Sequence, residues 1–108
     1  MRVIYVTTPS KEVAIELGGK LVEARLAACV NILPAMTSIY EWQGTLHRDD
    51  EAVLIVKTSQ SRIEEVMREI KSSHPYDCPA IFSWSPETVE PTFLQWIETQ
   101  SAVPQSKP

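Results

Sequence analysis

The sequence predicts an α+β fold in which helices pack on one face of an antiparallel sheet, and three features carry that prediction. Short runs rich in β-branched residues alternate with two segments whose apolar residues recur every three or four positions. These segments follow the order strand, helix, strand pair, helix, strand, with a short apolar stretch appended. The chain of 108 residues is long enough to bury one hydrophobic core and too short for two.

The first strand is "RVIYVTT", and Thr8-Pro9 after it predicts a helix N-cap with proline in the first turn. From Ser10 to about Leu26, Ala14, Leu17, Leu21 and Ala24 line one helical face. Gly18-Gly19 weakens that helix but permits close approach of a neighbouring element. "AACVNIL" is a second strand-like run ending at Pro34. "MTSIYEWQG" and "EAVLIVKTS" read as two more, joined as a hairpin through a polar connection containing His47, Arg48, Asp49, Asp50 and Glu51. Ser61 and Glu64 have the spacing of a capping box, and Ile63, Val66, Met67 and Ile70 form a helical stripe after it. "AIFSW" predicts the last strand, and "PTFLQWIETQ" a short helix seated through Phe93, Trp96 and Ile97. The order βαββαβ is that of a ferredoxin-like sandwich, with residues 1–100 as one domain and 101–108 as a flexible tail.

Composition narrows the function. With 44% hydrophobic and 22% charged residues, the chain has the balance of a soluble globular protein. Its 14 acidic residues outnumber 10 scattered basic ones, which disfavours nucleic acid and anionic membrane surfaces as partners. No apolar run approaches the roughly 20 residues of a membrane span, and the apolar N-terminal stretch is too short for a signal peptide, so the expected location is cytoplasmic. Two cysteines do not make a disulfide framework. Cys29 lies in an apolar run with no neighbouring cation to stabilise a thiolate, and no nucleophile elbow, phosphate loop or metalloprotease histidine pair is present. The sequence therefore predicts no catalysis.

The hairpin is apolar on both sides. Ile39, Trp42, Val53, Leu54, Ile55 and Val56 cannot all face one layer of helices, because neighbouring strand residues point opposite ways. A second copy of the chain is the expected cover for the remainder.

In order and spacing, "LVEARLAACVNILP", "TSIYEWQG", "VLIVKTS", "HPYDCPAI" and "FLQWI" resemble the CutA divalent-cation-tolerance family from Val3 to Ile97. The resemblance implies a ferredoxin-like protomer with an extended hairpin, assembled into a homotrimer similar to PII signalling proteins. It also implies a part in tolerance of divalent cations, copper above all.

The stretch "KSSHPYDCPAI" holds the candidate metal ligand, His74. Chelation by His74 and Cys78 together needs both donors on one ion, but Pro75 and Pro79 bias each toward extended backbone, where four steps span about 13 Å. The family resemblance places copper ligands at a first-strand cysteine and at two histidines before Pro-Tyr. Those positions read Thr7 and Ser73-His74 here, so one of three donors is present and weak binding of copper or another divalent cation is expected. Tyr40, Trp42, Lys57 and Tyr76 complete a candidate ligand cleft with His74. The alternative function is thus a signalling or scaffold trimer that binds a small effector or a protein partner between subunits.

Overall fold

The structure, a computed structural model, describes residues 1–104. The elements are β1 (Arg2–Thr8), α1 (Lys11–Glu23), β2 (Cys29–Trp42), β3 (Thr45–Thr58), α2 (Ile63–Ser73), β4 (Ile81–Trp84) and α3 (Pro91–Gln100), with a 3-10 turn Gln60–Arg62 leading into α2. They form an α+β fold around one four-stranded antiparallel sheet in the order β2-β3-β1-β4.

Alternation along the strands divides the sheet into two faces. Ile4, Val6, Leu54 and Val56 pack with Ala14, Leu17 and Leu21 of α1 and with Val66 and Ile70 of α2 to make the core. Tyr5, Thr7, Val53, Ile55 and Lys57 alternate with those core residues and lie on the opposite face, where Val53 is buried and the other four are half-buried. Gly18 lets α1 settle onto the sheet: a Cβ there would lie 2.8 Å from Val30 Cγ2 and 3.1 Å from Leu54 Cδ1.

Several element boundaries differ from the sequence reading. Ser10, rather than Thr8, caps α1, its hydroxyl accepting from the Val13 amide. The helix ends at Glu23 because Arg25 takes a left-handed φ of 58°, so Ala24 leaves the apolar stripe. The Ser61–Glu64 capping box does not form, since residues 60–62 make the 3-10 turn and Arg62 occupies the cap position without a side-chain bond. Arg62 is instead buried, paired with Glu65 and bonded to the carbonyls of Ser101 and Ala102. Ser101, expected at the start of a loose tail, is buried and bonded to Ser59 and Ile97. The end of that tail, 105–108, lies outside the described residues.

The largest difference is the hairpin. "AACVNIL" and "MTSIYEWQG" are one strand, interrupted only by a register shift between Leu33 and Met36, where Pro34 and Ala35 go unpaired. The residues read as a polar connection, His47 to Glu51, belong to β3. The turn is Gln43-Gly44, with φ of 51° and 79°, the paired positive values of a tight hairpin turn. Because β1 pairs with β3 only as far as Thr8 opposite Ala52, the hairpin beyond Glu51 projects as a two-stranded arm.

Candidate functional site

The arm and the connector 74–80 enclose a cleft of about 480 Å³ off the end of β1. Strand register puts Met36, Ser38, Tyr40 and Trp42 on the same side of the arm as Glu51, Asp49 and His47. The connector closes the other wall with Tyr76, Asp77 and Cys78. Three of the four predicted cleft residues, Tyr40, Trp42 and Tyr76, therefore line one cavity.

Lys57 does not join them. It stands opposite Val3 and Cys29, six strand positions or roughly 20 Å from Glu51, and its Nζ lies 5.6 Å from the centre of the Phe93 ring. There it is a cation over an aromatic face at the α3 end of the sheet. Cys29 faces it across the ladder, and partial burial raises the thiol pKa while Lys57 opposes the rise, which disfavours the thiolate.

Sequence reasoning misses Glu51. It assigns the residue to a solvated turn, whereas Glu51 is a strand residue only 8% exposed. Its Oε2 accepts from the Tyr76 hydroxyl at 3.0 Å, which ties the connector to the arm. Burial, that hydrogen bond and the negative charges of Glu51 and Asp49 push the Tyr76 pKa up to about 12. Tyr40 donates to Asp49 Oδ2 and stacks on His47 with ring centres 5.1 Å apart; the bond to Asp49 is the chief cause of its raised pKa. No alternation in the sequence marks Glu51 as a strand residue, because Asp49, Asp50 and Glu51 are all acidic and only the fold separates the exposed Asp50 from the buried Glu51.

His74 caps the end of α2 in extended backbone, as proline at position 75 dictates. It is 8% exposed, and both ring nitrogens are engaged. Its Nε2–H donates to the Thr7 carbonyl at 2.7 Å, and Nδ1 accepts from the Tyr76 amide at 3.1 Å. A carbonyl can only accept, so the ring is the Nε2–H tautomer. An ion at either nitrogen would displace one of these bonds. Cys78 is exposed and lines the cleft. Among the described residues, no three His, Cys, Asp or Glu side chains converge to hold a metal ion. The donors described in one chain therefore do not fit a resident cation.

A small α+β protein with a four-stranded sheet, three helices and an aromatic, acidic cleft under a hairpin arm is the class these features define. The family model described as CutA1 divalent ion tolerance protein matches residues 2–100, and the chain belongs to that family. It is 42% identical over 93 residues to the CutA homolog of Xenopus laevis, covering 86% of this chain and 62% of that protein. Its identity to the divalent-cation tolerance protein CutA of Thermus thermophilus is 42% over 95 residues, 88% of this chain and 92% of the relative. A solved structure of the divalent cation tolerance protein from Thermus thermophilus superposes with a TM-score of 0.89 at 40% identity, covering 94% of this chain and all of that one. A periplasmic divalent cation tolerance protein CutA from Archaeoglobus fulgidus superposes equally well, with a TM-score of 0.89 at 37% identity over 94% of this chain and 99% of that one. The chain thus spans under two thirds of the frog relative and nearly all of the prokaryotic ones. Among the described residues, no helix is long and apolar enough to cross a membrane.

Proposed function

We propose that this chain is a cytoplasmic, non-catalytic homotrimer that acts in tolerance of divalent cations, touching copper or a similar ion weakly rather than storing it. The observation that carries this reading is the projecting arm, with Ile39 65% and Leu46 73% exposed on the side away from the cleft. An arm this apolar is covered most economically by copies of itself. The sheet order β2-β3-β1-β4 supports the ferredoxin-like description, and the long open edge of β2 is suited to pairing between subunits as in PII-like trimers.

Weak ion binding follows from the donor set. At His74 an ion must break a hydrogen bond to Thr7 or Tyr76, a cost of about 1 kcal/mol each, and among the described residues no group of three His, Cys, Asp or Glu side chains is assembled to offset it. Copper(II) titration by calorimetry tests this. Weak heat with wild type that disappears in His74→Ala is the expected result, and equal affinity in both removes His74 from the reading.

The cleft favours a second reading, in which a small effector or protein partner binds between subunits and the metal response is indirect. Its volume lies in the range of small-molecule sites, and its wall is aromatic with few polar groups. A thermal-shift screen of metabolites separates the two readings, because a saturating ligand raises the melting temperature by mass action.

A further inference from the structure

We propose that the cleft under the arm takes an organic cation, an alkylammonium or quaternary ammonium head group, held by Tyr40, Trp42 and Tyr76 and by the carboxylate of Glu51. The inference rests on the cleft reading just given and names its ligand class.

Charge decides first. The lining contains the carboxylates of Glu51 and Asp77 and no lysine, arginine or histidine, so an anion would meet only repulsion there. Burial and the hydrogen bond to Glu51 are the main causes of the raised Tyr76 pKa, and the negative charges of Glu51 and Asp49 add to it.

Chemistry then separates an organic cation from a metal ion. Hard divalent ions want six or more oxygen ligands, and soft ones want converging sulfur and nitrogen. Neither set is assembled among the described residues. What the cleft does supply is three aromatic rings and one carboxylate removed from water, with Glu51 8% exposed. Aromatic faces attract weakly hydrated ammonium groups through their quadrupoles, and such cages are how proteins recognise quaternary ammonium ligands. The phenols of Tyr40 and Tyr76 each donate to a carboxylate, which fixes the two side chains.

The test uses choline and its uncharged isostere, in which a tert-butyl group replaces the trimethylammonium, both titrated into the intact protein by calorimetry. Choline is expected to bind at least about ten-fold tighter than the isostere, because shape and apolar surface are matched and only charge differs. Glu51→Gln should weaken choline about five-fold or more and leave the isostere unchanged, while Trp42→Ala should weaken choline without loss of circular dichroism. Equal affinity for choline and isostere overturns the inference but leaves a ligand cleft in place. No heat from either overturns both. Tighter binding of inorganic phosphate than of choline also overturns the inference. The wild-type comparison needs no variant, so a misfolded Glu51→Gln does not remove the test.

Discussion

Tyr76 donates to a carboxylate that is itself nearly out of water, and the pair joins a connector to a strand that share no backbone ladder. Burial raises its pKa to about 12, so the folded state binds this proton more tightly than the unfolded chain does. The stabilisation is complete below the unfolded value near 10 and is lost as pH rises from about 10 to 12. Urea midpoints measured across that window should fall more steeply for wild type than for Tyr76→Phe, whose side chain cannot ionise. Parallel curves would show that the phenol proton does not stabilise the fold. Removal of the His74 ring leaves the Thr7 carbonyl and the Tyr76 amide without their partner. His74→Ala should cost about 1–3 kcal/mol, whereas Cys78→Ser, at an exposed position, should stay within about 0.5 kcal/mol of wild type. Denaturant unfolding of the two variants checks both magnitudes, and a neutral His74→Ala would mean that those bonds are replaced by water. The histidine-proline and cysteine-proline pairs made the extended connector legible from sequence. The commitment of both imidazole nitrogens was not, because their partners lie 67 and 2 positions away and only the fold brings the first within reach.

At the scale of elements, the stripes on α1 and α2 and the β-branched run of β1 announced themselves, since a period of 3.6 or 2 is fixed by the element itself. Boundaries were harder where a local signal competed with a tertiary one. Pro34 reads as a strand terminator, yet the sheet absorbs it as an unpaired irregularity on an edge strand. His47 to Glu51 read as a connection because charged residues are common in turns, but alternating exposure shows that they are strand residues on an arm wetted on one side. That single misreading removed Glu51 from the expected site. Gly18 and Gly19 give a paired prediction. At Gly18 an added methyl group collides with Val30, whose β-branched side chain cannot swing away, so overpacking of about 1–3 kcal/mol outweighs the gain in helix propensity of up to about 1. Nothing lies within 4 Å of a Cβ at Gly19. Gly18→Ala should lower the melting temperature and Gly19→Ala raise it; a rise in both would mean that α1 shifts on the sheet without cost.

For the whole molecule the question is what covers the open surface. β2 is an edge strand of 14 residues, long and apolar enough to be a pairing hazard if left bare. Leu33, Phe82 and Trp84 are also exposed, and the molecule is drawn out to 55 Å along one axis against 22 Å along the shortest. An arm that extends beyond its own sheet and carries Ile39 and Leu46 on the side away from the cleft gains little in an isolated protomer. Burial of those side chains in an assembly is worth about 1.5–3 kcal/mol for each large one fully removed from water, enough over several to hold copies together at micromolar concentration against the entropy of association. Sedimentation equilibrium should give three times the chain mass. Leu33→Glu places a charge on the edge strand where a neighbouring copy would pack. Because Leu33 is exposed in the single chain, the variant should retain its secondary structure while its mass falls toward that of one chain. A well-folded wild-type monomer at micromolar concentration would contradict the assembly. A trimer indifferent to Leu33→Glu would instead move the contact off this part of β2 and onto the arm, where Ile39→Glu is the corresponding substitution.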